Sequence, residues 1–419
     1  MHSTSTDFPE ARTITLFLWT DIMDKIFTGL TSELKSGNIK DLKTPCYVID
    51  EKKLLYNAQI LSSVTGRTGA RILLAQKAFS NYDFYPLLEG KISGTEASGL
   101  YEARLGKEEM PEGEVHVFCA AYRDDEFDEL LTYADHIVFN SVNQLKKFGP
   151  EAKRQGRSVG LRINPECSTQ EGHEIYDPCA KGSRLGVTRS VWDKEMTPEV
   201  QSLLDGIHFH TLCEQDSDAL ETTLHAVEEK FGDIIPSVKW LNMGGGHHIT
   251  KDGYDVEKLE KLILYAKEKW DVEVYLEPGE AVALNAGYLV TRVLDIVENS
   301  DIRIAVLDSS AACHMPDVIE MPYTPPLYNA CAGIGKPYSY RLAGPTCLSG
   351  DVTGDYSFDN ELSEGDVLIF GDMAIYTTCK NNTFNGMPLP DIYSLKQDGS
   401  LVKLTDFGYK DFKHRLGKA

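Results

Sequence analysis

The stretch Lys239-Trp240-Leu241-Asn242-Met243-Gly244 is a short β-rich run, and seven runs of the same kind occur between residues 70 and 280. Amphipathic stretches separate them; Leu220, Leu224, Val227 and Phe231, for example, recur at helical spacing. Alternating strands and helices indicate a parallel sheet, and eight units predict a closed (β/α)8 barrel of the α/β class, with an open doubly wound sheet as the alternative. The predicted strands are Ile72–Lys77, Ile92–Ala97, Val115–Ala120, His136–Ser141, Val159–Asn164, Gly206–Thr211, Lys239–Gly244 and Val272–Glu277.

After about residue 285 the pattern changes to strands that are separated by Gly, Pro and Asp turns, with few helical periods. We expect the barrel over residues 51–285 and a C-terminal β domain, sandwich-like or barrel-like, over residues 286–419. The strand Cys46–Asp50 could belong to either part, and we assign residues 23–50 to the β domain. Residues 1–22 differ from the rest and are interpreted as an extension. Further strands are predicted at Leu289–Val297, Arg303–Leu307, Tyr338–Leu342 and Val367–Phe370.

The composition restricts the possible partners. The 419 residues include 64 acidic and 42 basic side chains, for a formal net charge of −22. Nucleic acids and anionic membranes would repel such a chain, whereas a cationic substrate would be attracted to it. No run reaches the length of a membrane helix, and we expect no signal peptide. Nine cysteines without a CxxC pair indicate the reducing cytoplasm rather than a disulfide scaffold.

Two charged residues end strands at the predicted barrel mouth, where active sites of such barrels lie. Lys77 follows an apolar strand, and partial desolvation there would favour the neutral amine that forms a Schiff base. A lysine in this place is more often a solvated rim residue. Glu277 ends the eighth run, and a buried carboxylate must be paired, for which a protonated pyridine nitrogen is suitable.

Histidines and glycines end the two intervening runs. His208 and His210 alternate onto one face, with His210 nearest the mouth. His210 could stack on a flat ring, serve a structural role, or bind a metal together with His208, Cys213, His247 and His248. The consecutive glycines Gly244, Gly245 and Gly246 would expose backbone N–H groups as a phosphate cradle, although a tight turn also explains one or two of them.

A lysine, a stacking histidine, a glycine cradle and a buried glutamate in this strand order meet the demands of one cofactor, pyridoxal 5'-phosphate (PLP). The chain resembles the fold-type III PLP-dependent decarboxylases, which have an alanine-racemase-like barrel. The resemblance implies that Lys77 carries PLP, that His210 stacks on its ring, that the glycine triplet binds its phosphate and that Glu277 meets the pyridine nitrogen. Arg162, in Leu-Arg-Ile-Asn, resembles an arginine that lies near the cofactor in that family.

The β domain extends the resemblance. The motif Gly344-Pro345-Thr346-Cys347, followed by Asp351, implies a cysteine that reaches across a homodimer interface and helps to set the protonation of the decarboxylated carbon. Tyr376 resembles a tyrosine that touches the phosphate. Glu280 is a departure, because many relatives carry a phosphate-binding arginine there. The cradle must therefore be completed otherwise, and a glutamate would favour an extra cationic group on the substrate.

Two segments, residues 208–215 and 312–323, resemble the carboxynorspermidine/carboxyspermidine decarboxylases in particular. That resemblance implies decarboxylation to norspermidine or spermidine in polyamine biosynthesis. The alternatives are a decarboxylase for ornithine, lysine, arginine or diaminopimelate, a zinc-dependent barrel hydrolase built on His208 and His210, and a catalytically silent PLP-binding protein. The residues expected to bind the substrate's amines are Glu280, Asp317, Glu320 and Asp351.

Overall fold

The computed structural model describes residues 26, 27, 42–170 and 176–418, so the extension interpreted at residues 1–22 lies outside the described residues. The chain divides into two compact units. One is Lys53–Leu284; the other combines the described residues up to Lys52 with those from Asn285 onward. Strand β1 (Cys46–Asp50) belongs to the second unit.

The first unit contains a closed barrel of eight parallel strands, and the predicted (β/α)8 barrel is confirmed. Neighbours along the chain are neighbours in the barrel, and Arg71 and Ile72 of the first strand pair with the last strand. The observed strands are mostly shorter than predicted; one of them, for example, ends at His208 rather than Thr211. The barrel strands are β2 (Arg71–Ala75), β3 (Gly94–Ala97), β4 (Glu114–Phe118), β5 (His136–Phe139), β6 (Ser158–Arg162), β7 (Gly206–His208), β8 (Trp240–Asn242) and β9 (Glu273–Leu276).

The helices of this unit follow the hydrophobic periodicity. Ser217–Phe231 buries Leu220, Leu224 and Val227 along one face, as their spacing predicts. Asp255 caps the next long helix by accepting a hydrogen bond from the Lys258 N–H. The α-helices are Glu51–Thr68, Tyr85–Leu88, Leu100–Glu109, Phe127–Tyr133, Val142–Arg154, Arg189–Glu195, Pro198–Gln201, Ser217–Phe231, Val256–Trp270 and Glu280–Ala283, and the 3-10 helices are Tyr82–Phe84 and Ile235–Ser237.

The interior of the barrel is organised around one indole ring. Trp240 packs with Leu73, Val138 and Tyr275. A Cβ atom on Gly206 would lie 1.9 Å from this ring, and one on Gly160 would lie 2.3 Å from it. The two neighbouring strands therefore carry glycine because the tryptophan fills the space that their side chains would need.

The second unit is a mixed nine-stranded sheet, which confirms the predicted β domain. The long strand β10 (Gly287–Asn299) pairs with β1 along its first half and with β11 (Ile302–Leu307) along its second half. Tyr47, Leu342 and Phe370 share one hydrophobic cluster. The other strands are β12 (Ala330–Ala332), β13 (Tyr338–Ala343), β14 (Val352–Phe358), β15 (Val367–Gly371), β16 (Asp391–Leu395) and β17 (Leu401–Thr405), and the helices are Ala311–His314, Asp317–Glu320, Phe384–Gly386 (3-10) and Tyr409–Arg415.

Among the residues that the structure describes, no helix is both long enough and apolar enough to cross a bilayer.

Candidate active site

Lys77 lies in the turn just after β2, and its side chain is 40% exposed. Its Nζ atom is 3.6 Å from Oε2 of Glu96, a buried residue of β3. Burial raises the pKa of Glu96 to about 7, although the charge of Lys77 opposes the increase. Glu96 was not predicted as a site residue, although an acidic residue near the end of the predicted strand Ile92–Ala97 is a signal that could have identified it.

Glu277 follows β9 directly and is buried. Its Oε2 atom is 3.0 Å from Nε2 of His208, and its Oε1 atom accepts a 2.6 Å hydrogen bond from Nδ2 of Asn242. Burial would raise the pKa of Glu277, but the interactions with His208 and the charge of Lys77 outweigh it and hold the pKa below its usual range. Glu277 is thus a carboxylate whose orientation is fixed by two neighbouring strands.

His210 lies two residues beyond β7 and is only partly accessible. Its Nδ1 atom accepts the N–H of Gly245 at 2.8 Å, so the proton of the neutral ring is on Nε2. Burial and the positive charges of Lys77 and Arg162 lower the pKa of His210 well below its usual value. Arg162, the last residue of β6, donates to the backbone oxygen of His210 at 2.9 Å and lies 4.6 Å from the centre of the Phe118 ring.

The glycine triplet is constrained by backbone conformation and by space. Gly244 and Gly246 have φ angles of 72° and 79°, and a Cβ on Gly245 would lie 2.3 Å from the backbone oxygen of Glu277. The Gly244 N–H donates to Asn242 and the Gly245 N–H to His210. Within the described part of the chain, the N–H groups of Gly246 and His247 donate no hydrogen bond, so these two are the donors available to an anion.

Glu280 begins the helix Glu280–Ala283 and pairs with a histidine beyond the glycine triplet. Oε2 of Glu280 is 2.7 Å from Nε2 of His248. His248 is buried, and its Nδ1 atom has no hydrogen-bond partner among the described residues. One carboxylate oxygen of Glu214 lies within 4.8 Å of this pair. The pairing of His248 with Glu280 was not predicted from the sequence.

The four histidines of the zinc alternative have separate partners. His208 contacts Glu277, His210 accepts from Gly245, and Nε2 of His247 is 3.4 Å from the backbone oxygen of Met243. The residue sets that could surround a metal ion within the described ranges are Glu114 with His116 and His136, and Glu214 with His248 and Glu280. The arrangement does not assemble His208, His210, His247 and His248 into one site.

In the second unit, Asp351 is buried and holds two segments together. Its Oδ1 atom accepts hydrogen bonds from the Ser310 hydroxyl at 2.9 Å and the Ala312 N–H at 3.2 Å. Its Oδ2 atom accepts the Thr346 hydroxyl at 2.7 Å. Both oxygens are therefore engaged within the unit. The exposed Cys347 follows Thr346, so Asp351 joins the cysteine loop to the helix Ala311–His314.

A second loop contacts both the cysteine and the predicted amine-binding acids. Asn385 accepts the Cys347 N–H at 2.8 Å, and the Lys380 ammonium contacts both Asp317 and Glu320. Burial would lower the pKa of Lys380, but the hydrogen bonds to the two acids raise it.

Tyr376 precedes this loop and has a φ of 48°. For a residue with a large side chain, that left-handed backbone is unusual and marks a tightly held turn.

The predicted site residues thus fall into two groups, one in each unit of the chain. The C-terminal end of the barrel gathers Lys77, Arg162, His210, the glycine triplet, Glu277 and Glu280, whereas the β unit carries Asp317, Glu320, Cys347, Asp351 and Tyr376. A buried carboxylate with fixed orientation, two unused backbone donors and a lysine can together hold a cationic ring that bears an anionic group.

Comparison with known proteins agrees with this chemistry. Residues 46–374 match the family model described as pyridoxal-dependent decarboxylase, C-terminal sheet domain. The carboxynorspermidine/carboxyspermidine decarboxylase of Campylobacter jejuni is 43% identical over 385 residues, which cover 89% of this chain and 98% of that protein. The carboxyaminopropylagmatine decarboxylase of Synechocystis sp. is 38% identical over 385 residues, covering 92% and 98%.

A solved structure is also similar to this chain in both fold and sequence. The crystal structure of Campylobacter jejuni carboxynorspermidine decarboxylase complexed with norspermidine has a TM-score of 0.82 and 42% identity, covering 89% of this chain and all of that one. The resemblance inferred from the sequence is confirmed, the zinc hydrolase alternative is wrong, and the cofactor is PLP. This chain belongs to the pyridoxal-dependent decarboxylase family.

Proposed function

We propose that this enzyme decarboxylates carboxynorspermidine and carboxyspermidine, giving norspermidine and spermidine, as a step in polyamine biosynthesis. The observation that carries the proposal is the near full-length match to a relative with this activity in its name, and norspermidine is the molecule bound in the similar crystal structure. The acidic balance of the chain and the acid pair Asp317 and Glu320 suit a substrate with several ammonium groups.

The barrel residues fit PLP. Lys77 would bind its aldehyde carbon, and Glu277, which is oriented by His208 and Asn242 and whose pKa is lowered mainly by His208, would hold the proton on its ring nitrogen. When bound, PLP accepts the electron pair that the departing carboxylate leaves on the substrate's α-carbon. Neutral His210 offers a flat, uncharged face to the ring.

Hydrogen bonds from neighbouring residues fix the orientation of the side chains in this site. Arg162 fixes the backbone of His210 from the neighbouring strand, and the Gly245 N–H fixes the orientation of the His210 ring. The His208 and Asn242 contacts prevent Glu277 from rotating away from a ring nitrogen. Their contribution is orientation, which lowers the reorganisation that the reaction requires.

The phosphate would be held without the arginine that many relatives use. The N–H groups of Gly246 and His247 supply two donors. We assign a third to His248: Glu280 accepts the Nε2 proton, and a protonated Nδ1 would donate to the phosphate. In this proposal Glu280 positions His248 rather than binding the substrate, and Tyr376 would contact the phosphate from the β unit.

The substrate's distal amines would be bound by Asp317 and Glu320. Support comes from Lys380, whose alkylammonium group already contacts both carboxylates. Asp351, with both oxygens engaged, would order the cysteine loop instead. Cys347 would control the protonation of the decarboxylated carbon, from the partner subunit of a homodimer.

The nine cysteines, none of them in a disulfide, agree with a reducing cytoplasm.

Carboxyaminopropylagmatine is the second candidate substrate, since a relative that is 38% identical is named for it. It ends in a planar guanidinium, which prefers bidentate contact with one carboxylate. Two separate acids that converge on one Nζ atom suit an ammonium better. Ornithine, lysine and arginine follow, and diaminopimelate is least suited because its distal carboxylate would face acids.

The decisive experiment is an assay of CO₂ release from each of these substrates by the purified enzyme. We expect the highest kcat/KM for carboxynorspermidine or carboxyspermidine. Rapid turnover of ornithine without turnover of either carboxylated polyamine would contradict the proposal. Lys77→Ala serves as the control, because it should abolish both the visible absorbance of the bound cofactor and the activity.

A further inference from the structure

We propose that Glu96 is the proton partner of Lys77, giving a proton to Nζ when the lysine releases the cofactor and taking it back when the lysine returns. The inference rests on the proposed role of Lys77 and adds a residue that no sequence motif indicated. Glu96 would contact the reacting nitrogen itself and is therefore proposed as a catalytic residue.

The geometry supports a direct exchange. Oε2 of Glu96 is 3.6 Å from Nζ of Lys77, so a shift of less than about 1 Å would bring the two atoms within hydrogen-bonding distance. This oxygen is buried and has no hydrogen-bond partner within the described ranges. Because a buried carboxylate is costly unless a cation offsets it, the charged form of Glu96 depends on the Lys77 ammonium.

The proton balance is simple. In its acid form, Glu96 gives the Oε2 proton to the departing Nζ, which leaves an ammonium beside a carboxylate. That ion pair is the arrangement in the structure. On return, the same proton moves back to Oε2 and frees the Nζ lone pair for attack. No other reactant is consumed, and both partners end as they began.

The burial and the charges around Glu96 keep the pKa of its carboxyl close to neutral. Burial raises the pKa of Glu96, Lys77 lowers it, and Glu277 and Glu102 raise it, with a net value of about 7. Cys119 and Arg162 also face it from β4 and β6. A group that titrates near the working pH exchanges protons most effectively, since both of its forms are populated.

The test uses the substrate-free holoenzyme and methoxyamine, an amine that is uncharged across the neutral range and takes the cofactor from lysine. Stopped-flow absorbance gives the rate for the wild type, Glu96→Gln, Glu96→Asp and the control Glu102→Gln. Glu102 belongs to the same acidic surroundings but accepts the Ser98 N–H at 2.6 Å. No polyamine substrate is needed, so the result does not depend on the identity of the substrate.

For the wild type we expect the rate to fall as the pH rises through the raised pKa of Glu96, and Glu102→Gln should show the same fall at a slightly lower pH because the charge of Glu102 helps to raise that pKa. Glu96→Gln should react about 10²-fold more slowly at pH 6 and without this pH dependence, and Glu96→Asp should recover part of both. A Glu96→Gln rate within about twofold of the wild type, or an unchanged pH profile, would overturn the proposal. Loss of cofactor absorbance in Lys77→Ala but not in Glu96→Gln separates this role from cofactor attachment.

A second measurement does not involve the cofactor. A carboxyl with a raised pKa stabilises the fold below its unfolded-state pKa, and that contribution is lost as the pH rises through about 7. The Tm of cofactor-free Glu96→Gln relative to that of the wild type should therefore be higher at pH 8 than at pH 5. An equal difference at both pH values would show that Glu96 does not titrate in this range and would also overturn the proposal.

Discussion

The N–H of Gly245 donates a 2.8 Å hydrogen bond to Nδ1 of His210, which ties the phosphate cradle to the proposed stacking ring. Because the donor belongs to the backbone of the cradle, turning the ring would break this hydrogen bond. The residues that would bind the cofactor's phosphate and those that would contact its ring are thus linked by a hydrogen bond rather than independent of each other.

Gly245→Ala should weaken PLP binding by about 10-fold or more, because its Cβ would lie 2.3 Å from the Glu277 backbone oxygen and displace the cradle. Titration of the cofactor-free protein with PLP measures the effect. Gly66→Ala is the control: Gly66 is an exposed position of the helix Glu51–Thr68 with no atom within 4 Å of a new Cβ, and the change should stabilise the fold by up to about 1 kcal/mol without altering PLP affinity. Wild-type affinity in Gly245→Ala would refute the coupling.

His248→Ala should reduce the affinity for PLP by about 10-fold, as expected for the loss of one charge-assisted hydrogen bond. Affinity for pyridoxal, which lacks the phosphate, should not change. Glu280→Gln should show a smaller effect of the same kind, and His225→Ala, an exposed histidine, should show none. An equal loss for PLP and pyridoxal would place His248 away from the phosphate.

Lys380→Met should lower the KM for carboxynorspermidine by about 2- to 5-fold, because the ammonium that competes for Asp317 and Glu320 is removed. The expected change in KM is modest because Lys380 is partly exposed, and solvent weakens its contacts with the two acids. Lys380→Arg keeps the charge and should keep the KM. If Lys380→Met instead raises the KM, Lys380 holds the acids in position for the substrate.

His314 should make the fold sensitive to acid. Burial lowers the pKa of His314 from 6.5 to about 4, so the unfolded chain binds more protons between these values and stability falls as the pH decreases through this window. Between pH 7 and 5 the loss from this residue is about 2 kcal/mol. Urea unfolding should show a smaller loss for His314→Gln than for the wild type or His225→Gln; equal losses would refute the assignment.

Mixing two variants tests the proposed sharing of the active site between subunits. If the enzyme is a homodimer, Lys77→Ala and Cys347→Ala proteins that are unfolded and refolded together should regain about a quarter of wild-type activity, because half of the dimers would be mixed and each would hold one intact site. If Lys77 and Cys347 act within one subunit, the mixture stays inactive. Light scattering gives the subunit number independently.

Sequence patterns predicted the fold well because they report local physics. Strand composition and helical spacing located all eight barrel strands, and the positions of Lys77, His210 and Glu277 at strand ends made them candidates for the site. The strand ends themselves were placed too late, because strand-like residues continue past the last residue of each strand. Phe209, for example, still donates its N–H to the backbone oxygen of Asn242, although β7 ends at His208.

The partners of the site residues were harder to predict. Glu96 lies 19 positions from Lys77, and Lys380 lies 60 positions from Glu320, so neither pair leaves a local signal. Glu280 was recognised as a departure, but its partner His248 depends on how β8 and β9 lie side by side. Such contacts follow from the closed barrel and become visible only when the strands are assembled.

The indole of Trp240 has a consequence for protein engineering. Since its ring occupies the volume of side chains at Gly160 and Gly206, these three positions on three adjacent strands form one packing unit. A library that varies either glycine alone would recover mostly misfolded clones. Randomising the three codons together, with a small residue allowed at position 240, is the way to remodel the barrel interior.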